Sequence, residues 1–241
     1  MFLFRRNFFS DVELKRTHLY LPIFAMLLIM SNIGTNIFAQ RLVSFDIMGF
    51  AFTVGGGIFI FPISFFIIDT VTEYYGFKIA TAMIFFNVIA LGFCTLCFFY
   101  TMQIQPSSNL INEHYKSIII PFYRAFFATA CSVLTAYLLN CYLIARLKIF
   151  FKGKRMFLRL MLATTFAELF YSFVWVTVDM LGNVTLQQFS TIIGSNFVVK
   201  IVFQAISMPF TWLIVNYLIR IDNSSNIVVS SPFIKKDKAN G

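Results

Sequence analysis

Six long apolar runs dominate this sequence and decide what the chain can fold into. They cover residues 19–40, 47–70, 79–103, 121–146, 156–181 and 189–219. Each is close to the roughly 20 residues that a helix needs to cross a bilayer. The chain is 59% hydrophobic and only 12% charged, which leaves too little polar surface for a soluble domain. We predict an all-α polytopic membrane protein with six transmembrane helices.

The basic residues are divided unequally between the two sides that six crossings create. Of the 19 Lys and Arg residues, 15 lie on the side of the termini, 3 lie on the other side, and Lys200 lies inside a run. Cytoplasmic connections carry the excess of Lys and Arg in membrane proteins, so both termini are predicted to be cytoplasmic. The chain then divides into a cytoplasmic N-terminal segment, 1–18, a six-span domain, 19–220, and a disordered cytoplasmic tail, 221–241.

Several function classes are disfavoured by the distribution of polar residues. The net charge of +9 is concentrated in short connections and termini, where it is a topology signal, so direct nucleic-acid binding is not expected. His18 and His114 lie outside the apolar runs, the sequence has no metal-ligand cluster, and it has no phosphate-binding glycine loop. We therefore predict that the protein is not an enzyme and needs no cofactor or metal.

Six ionisable residues in the apolar runs or just beyond their ends are the first candidates for function, whereas Arg146 and Arg159 are counted with the basic residues of a cytoplasmic connection. Such groups are costly in a bilayer unless they are paired or hydrated. Residues three, four or seven apart share one helix face, which aligns Glu168 with Trp175 and places Lys200 in a polar stripe of the sixth run. Asn32 and Asn36 form a shorter stripe in the first run. These faces are predicted to point inward. The six residues are Asp69, Glu73, Arg124, Glu168, Asp179 and Lys200.

Depth in the membrane suggests which of these residues pair. Glu168 and Lys200 each lie about twelve residues inside their runs, near the bilayer midplane at about 1.5 Å per residue, and are expected to be partners. Such a pair either contributes to a binding site or only fixes the packing of two helices. Arg124 and Asp179 both lie near the external end, where a structural or gating pair is favoured.

Asp69 and Glu73 stand four residues apart at the end of the second run. If the helix ends near Gly76, both carboxylates face the negative end of the helix dipole, which costs roughly 0.3 to 1 kcal/mol each. The compensation could come from Lys78, from a cation on another span, from a substrate, or from water at the interface. Pro62 is predicted to free a backbone carbonyl and to bend this helix around a cavity.

The segment "FPISFFIIDTVTEYYG" resembles the signature of the queuosine precursor transporter family, the vitamin uptake transporter-like proteins of the bacterial inner membrane. The signature is an apolar segment with Pro62, followed by Asp69, Glu73 and Gly76 at fixed spacing, and Pro62 and Gly76 are predicted to have a structural or gating role. Three other segments agree in order: "SNIGTNIFAQR", "YRAFFATACSVLTAYLLN" and "FVVKIVFQAISMPF". One departure lies in the fifth run, where Glu168 stands at the family's Gln and Tyr171 at its Asp.

The resemblance implies uptake of 7-deazaguanine bases that feed queuosine modification of tRNA. The candidates are 7-cyano- and 7-aminomethyl-7-deazaguanine and queuine, each a small nucleobase-like substrate. A carboxylate can accept the paired N–H donors of a guanine-like edge, and aromatic rings can stack the planar base. We expect the substrate near the midplane, between the first, fifth and sixth spans, with Asp69 and Glu73 guarding the cytoplasmic side. The remaining candidate contacts are Glu168, Trp175, Tyr171, Lys200, Asn36 and Asn32.

One alternative from another functional class stays open. Substrate-binding components of energy-coupling-factor vitamin importers are also small six-span proteins, and they dock a coupling subunit through small residues of the first helix. The ridge of Ser31, Thr35 and Ala39 would allow such a contact. The sequence also leaves open a homo-oligomer, an energising partner and the coupling ion.

Overall fold

Long apolar helices make up most of the chain in the computed structural model, which describes residues 20–39, 41–47, 50–106, 109–180 and 185–221. A two-stranded antiparallel hairpin interrupts the helices near the start. The helices are α1 Tyr20–Ala39, α2 Phe61–Tyr74, α3 Phe77–Gln103, α4 Asn109–Ser132, α5 Leu138–Phe150, α6 Met156–Met180 and α7 Leu186–Ile221. The strands are β1 Leu42–Ile47 and β2 Phe50–Gly55, a 3-10 turn spans Gly56–Phe59, and a π-helical turn, Val133–Tyr137, joins α4 to α5.

Five helical segments of the described ranges are long and apolar enough to cross a membrane. They are Tyr20–Ala39, Phe77–Gln103, Glu113–Phe150, Met156–Asp179 and Gln187–Ile221. The prediction of an all-α polytopic membrane protein is therefore confirmed. The first, third, fifth and sixth predicted spans agree with α1, α3, α6 and α7 to within a few residues. The predicted terminal segments, 1–18 and 221–241, lie outside the described residues except for Ile221, the last residue of α7.

The predicted second span, 47–70, is wrong in its first half. Residues up to Gly55 form the hairpin, in which Val43 is opposite Val54 and Ile47 is opposite Phe50. Aromatic and β-branched residues are common in this stretch, and they favour strands as readily as membrane helices. Helix α2 begins only at Phe61. Pro62 therefore lies in its first turn, where proline is well tolerated, and does not bend the middle of a helix.

Helix α2 is short and lies at the centre of the bundle. It is about 21 Å long at 1.5 Å per residue, and the preceding 3-10 turn adds about 8 Å, so together they match the roughly 30 Å of a bilayer core. Eleven of its fourteen residues are buried. Because α2 is surrounded by other helices, its polar side chains reach protein partners instead of lipid.

The start of the fourth predicted span is also corrected. Helix α4 begins at Asn109, twelve residues before the predicted start at Pro121. The polar stretch before Pro121 resembled a connection, but it contains residues compatible with a helix and an exposed ion pair of Lys116 with Glu113 at 3.4 Å, which supports a helix. The polar residues of this predicted external connection thus extend the helix by about three turns.

The two ends of the bundle differ in chemistry. At one end, called the hairpin end, Gly57 of the 3-10 turn packs against the backbone of Thr35 in α1. At the other, called the basic end, Phe24 of α1 packs edge-to-face on Tyr75 at 6.5 Å, and Lys148 lies close to Glu73. Helix α2 thus runs antiparallel to α1 from the hairpin end to the basic end.

The turn after α2 depends on a glycine. Gly76 has a φ of +89°, a conformation that side chains with a Cβ rarely adopt. Its N–H donates to the carbonyl of Val71 at 3.1 Å, and α3 begins at the next residue. Gly76, one of the predicted structural or gating residues, therefore lies at the reversal of the chain.

Large apolar side chains cover the outside of the bundle. Examples are Met30, Phe93, Tyr100 and Phe150, each more than two-thirds exposed. A soluble monomer rarely exposes so extensive an apolar surface, whereas the hydrocarbon core of a bilayer accommodates it. The polar faces predicted for the first, fifth and sixth spans point inward, since Asn36, Glu168 and Gln204 are all buried.

Candidate functional site

A small cavity lies near the hairpin end, between α1, the 3-10 turn, α6 and α7. Its volume is about 40 Å³, room for roughly three water molecules. The first, fifth and sixth predicted spans supply most of its walls, as the sequence indicated for the substrate. Its lining residues are Thr35, Ala39, Gly55, Gly57, Ile58, Phe61, Tyr171, Ser172, Trp175, Asn196 and Lys200.

Lys200 is the charged centre of this cavity. Its Nζ lies 3.8 Å from the centroid of the Phe61 ring and 3.9 Å from that of Tyr171. Ammonium groups are attracted to the faces of aromatic rings, by about 2 kcal/mol or more when desolvated. The two rings are themselves 4.6 Å apart and tilted, so they hold the ammonium from two sides.

Glu168 supplies the counter-charge for Lys200. Its Oε2 lies 3.3 Å from Lys200 Nζ, and both side chains are more than nine-tenths buried. The predicted pairing of these residues is confirmed. Glu168 itself lies behind the cavity wall, one helical turn from the lining residues Tyr171 and Ser172.

Two buried oxygens that line the cavity make no hydrogen bond within the described part of the chain. They are Ser172 Oγ and Thr35 Oγ1. Unsatisfied buried polar atoms are uncommon in folded proteins and need an explanation, such as a ligand or a water molecule. Both hydroxyl oxygens can accept a hydrogen bond, and Glu168 Oε2 has the Lys200 ammonium as its partner, so this region of the bundle is suited to a ligand that carries N–H donors.

The predicted contact Trp175 lines the cavity and is held from behind. Its Nε1 donates to Thr129 Oγ1 at 3.2 Å, and Thr129 donates to Asn36 Oδ1 at 2.6 Å. Asn36 therefore does not line the cavity but fixes the orientation of the indole through Thr129. Asn32 does not line the cavity either: its Nδ2 donates to Asn87 Oδ1 at 3.2 Å, and its carbonyl accepts from Asn36 Nδ2 at 2.9 Å.

Asp69 is the centre of a second polar cluster, and it is fully buried. Asn140 Nδ2 donates to its Oδ1 at 2.7 Å. Gln204 Nε2 donates to Oδ2 at 2.7 Å, and Thr164 Oγ1 donates to Oδ2 at 3.1 Å. Side chains of α2, α5, α6 and α7 thus meet at one carboxylate. Gln204 and Thr164 lie one helical turn from Lys200 and Glu168, on the side of the basic end.

Glu73 forms a third polar layer, at the basic end. Arg159 donates from Nη1 to Oε2 and from Nη2 to Oε1, both at 3.0 Å. Lys148 Nζ adds an ion pair at 3.1 Å. The compensation predicted for this carboxylate therefore comes from cations of α5 and α6, whereas Lys78 is exposed. This layer lies between the Asp69 cluster and the solution at the basic end.

The expected external pair, Arg124 with Asp179, lies apart from these layers. Arg124 Nε donates to the carbonyl of Val178 at 3.1 Å, next to Asp179, and Arg124 also interacts electrostatically with that carboxylate. The contact joins α4 to α6 and does not line the cavity. Its gating role stays a prediction.

Comparison with known proteins supplies the family. Residues 55–214 match the model of the family described as "Putative vitamin uptake transporter". The match covers 160 of the 241 residues. The chain belongs to this family. The resemblance to vitamin uptake transporter-like proteins is thereby confirmed. The matched region contains Lys200, Asp69 and Glu73. No curated protein and no solved structure matches the chain.

Several residues that the structure places in or beside these polar layers are not among the sequence-based candidates for this member of the vitamin uptake transporter family. Arg159 was counted among the basic residues of a connection, although it lies inside the predicted fifth span, and that position was the available signal. Asn140 lies within the fourth predicted span and Thr129 in the same run, but isolated polar residues there gave no stripe. Phe61 was one of 33 phenylalanines, and no sequence pattern distinguishes it.

Proposed function

We propose that this protein imports queuosine precursors across the bacterial inner membrane for tRNA modification. The substrates would be 7-deazaguanine bases such as 7-cyano- or 7-aminomethyl-7-deazaguanine, or queuine. The observation that carries the proposal is the Glu168–Lys200 pair beside an aromatic cavity. It combines an acceptor, a donor and flat apolar surfaces at one place.

The hydrogen-bonding edge of a guanine-like base complements this ion pair. That edge carries a carbonyl acceptor next to ring N–H and amino donors. Lys200 can donate to the carbonyl, and Glu168 can accept from the two neighbouring donors, as carboxylates do with bidentate partners. The oxygens of Ser172 and Thr35 are further acceptors for the remaining N–H groups.

Aromatic side chains supply the surfaces for stacking. Trp175 is the favoured stacking residue because its ring lines the cavity and its Nε1 is held by Thr129. Tyr171, also predicted to stack, is engaged with Lys200 and Phe61. A two-ring base needs more room than about 40 Å³, so binding would require Lys200, which lies beside both rings, to move out of the cavity.

The position of the cavity supports uptake in one direction. The cavity lies toward the hairpin end, whereas the Asp69 and Glu73 layers close the path to the basic end. If the Lys- and Arg-rich side is cytoplasmic, then both termini are cytoplasmic and the cavity is nearer to the external solution. Release into the cytoplasm would require the Glu73 layer to open.

Substitution of Glu168 tests the proposal. In cells that cannot make deazaguanines, we expect Glu168→Gln to reduce uptake of labelled queuine or of its precursors by at least tenfold, because an amide presents an N–H where the base needs an acceptor. The matched control is Glu113→Gln, whose side chain is 73% exposed. Uptake by Glu168→Gln at the wild-type rate, with equal amounts of protein in the membrane, would contradict the assignment.

The alternative function, a substrate-binding component of an energy-coupling-factor importer, depends on an accessible small-residue ridge on α1. Thr35 and Ala39 of the small-residue ridge pack against the glycines of the 3-10 turn and β2, where a Cβ on Gly57 would come within 2.2 Å of the Thr35 carbonyl oxygen. This part of the ridge therefore has a partner within the same chain. Substrate uptake into liposomes that contain only this protein would separate the two functions, since a binding component alone would not transport.

A further inference from the structure

We propose that Asp69 is the proton-binding site that couples substrate uptake to the proton gradient. This inference rests on the proposed transport function and adds its energy source. The site consists of Asp69 with Asn140, Thr164 and Gln204, the second polar cluster described above.

The three buried carboxylates among the described residues differ in their partners. Glu168 is paired with Lys200, and Glu73 with Arg159 and Lys148. A proton on either of these two would break an ion pair. Asp69 makes no salt bridge in the described part of the chain, and its partners are two amides and a hydroxyl. It is therefore the carboxylate that can take up a proton without losing a cation.

The hydrogen bonds around Asp69 fit both of its protonation states. Thr164 Oγ1 lies 3.1 Å from Asp69 Oδ2 and 3.4 Å from Asn140 Oδ1. When Asp69 is ionised, the Thr164 hydroxyl donates to Oδ2. When a proton is bound to Oδ2, the hydroxyl can accept it and turn its own hydrogen to Asn140 Oδ1. The change needs only rotation of one hydroxyl.

Gln204 provides a second adjustable partner. Its Nε2 donates to Asp69, while its Oε1 is buried without a hydrogen bond in the described residues. An amide that turns over presents this oxygen to a protonated carboxyl group. Gln204 lies one helical turn from Lys200 on α7. A substrate that displaces Lys200 would therefore also shift Gln204 and change its hydrogen bond to Asp69.

Other titratable groups surround this cluster and belong in any account of its pH dependence. On α2 the nearest is Glu73, which is paired at the basic end. Among the described residues, the groups that face this part of the bundle from the elements packed against α2 are Cys141 and Lys148 of α5, Tyr137 of the π turn, Arg159, Glu168 and Tyr171 of α6, and Lys200 of α7. Each charged group of this set has a partner of opposite charge. Proton binding that changes the net charge of the core is therefore expected at Asp69.

The transport step balances one proton against one substrate molecule. A proton from the external solution binds Asp69 Oδ2 and neutralises the carboxylate while the substrate occupies the cavity. After the basic end opens, substrate and proton leave to the cytoplasm, and Asp69 returns ionised. A pH difference of one unit is worth 1.36 kcal/mol per proton, a tenfold concentration ratio.

Infrared spectroscopy of the purified protein tests proton binding without any substrate. Between pH 5 and 9, we expect a protonated-carboxyl band that titrates in the wild type and is missing in Asp69→Asn. If the wild type shows no titrating band that this substitution removes, the proposal is overturned. Thr70→Val is the matched control, because the Thr70 hydroxyl bonds only the carbonyl of Phe66, at 2.8 Å.

Liposomes with the purified protein test the coupling itself. With the membrane potential clamped to zero and the interior one pH unit more alkaline, the wild type should accumulate neutral 7-cyano-7-deazaguanine about tenfold. Asp69→Asn should only equilibrate it, and Thr164→Val should lose more of the accumulation than Thr70→Val. Equilibration by the wild type, or accumulation driven by a sodium gradient instead, would overturn the proposal. Failure of the wild type to take up the base would contradict the proposed substrate, while the infrared result would still decide proton binding.

Discussion

Loss of Arg159 should destabilise the protein more than loss of Lys148, although both contact the same carboxylate. The Arg159 side chain is 1% exposed, that of Glu73 is 6% exposed, and that of Lys148 is 23% exposed. Arg159→Met removes two hydrogen bonds of 3.0 Å and leaves a buried carboxylate short of its main partner, a cost of about 3–5 kcal/mol. Lys148→Met removes a partly exposed ion pair worth about 0–1 kcal/mol and a hydrogen bond of 2.7 Å to the Glu73 carbonyl worth about 0.5–1.5 kcal/mol.

Thermal unfolding in detergent, followed by the fluorescence of Trp175 and Trp212, measures this difference. For a chain of this size, about 2–4 °C per kcal/mol gives a loss of roughly 6–20 °C for Arg159→Met and of roughly 1–10 °C for Lys148→Met. The double variant Glu73→Leu with Arg159→Met removes both charges, so it should be more stable than Arg159→Met alone. Equal losses for the two single variants, or simple additivity in the double variant, would refute a buried bidentate pair.

Two further predictions concern the walls of the cavity. Gly57→Ala would place a Cβ 2.2 Å from the Thr35 carbonyl oxygen and should lower the free energy of unfolding by about 1–3 kcal/mol. Gly194 lies inside α7, and a Cβ there meets no atom within 4 Å, so Gly194→Ala should raise the melting temperature slightly, since alanine favours a helix over glycine by about 1 kcal/mol. Equal melting temperatures for both variants would count against the packing. Trp175→Phe keeps an aromatic ring but removes the donor to Thr129, so the KM for uptake should rise by about two- to tenfold, corresponding to 0.5–1.5 kcal/mol. An unchanged KM would exclude the indole as an oriented contact.

Helical periodicity explains what the sequence predicted well. Residues on one helix face are fixed by local geometry, so the inward stripes that contain Glu168 and Lys200 could be identified without a structure. Their similar depth in antiparallel spans then identified them as partners. The agreement of α1, α3, α6 and α7 with the apolar runs has the same origin, because span length is set by bilayer thickness.

The sequence-based predictions were wrong or incomplete where the structure depends on contacts between helices that are distant in the chain. An apolar run does not distinguish a membrane helix from a strand, and the glycines at 55–57 became informative only when α1 was placed against them. Arg159 resembled a topology signal until its contact with Glu73 was visible. The Asp69 cluster requires four elements to converge, and Asn140 has no local pattern that points to such a role.

The most direct test of the account is uptake by the purified protein alone in liposomes, with labelled 7-cyano-7-deazaguanine as substrate. The account predicts saturable uptake by the wild type that unlabelled deazaguanines inhibit and unrelated vitamins do not. It also predicts at least tenfold slower uptake by Glu168→Gln, with Glu113→Gln equal to the wild type. No uptake by correctly folded wild type, or equal rates for wild type and Glu168→Gln, would contradict it.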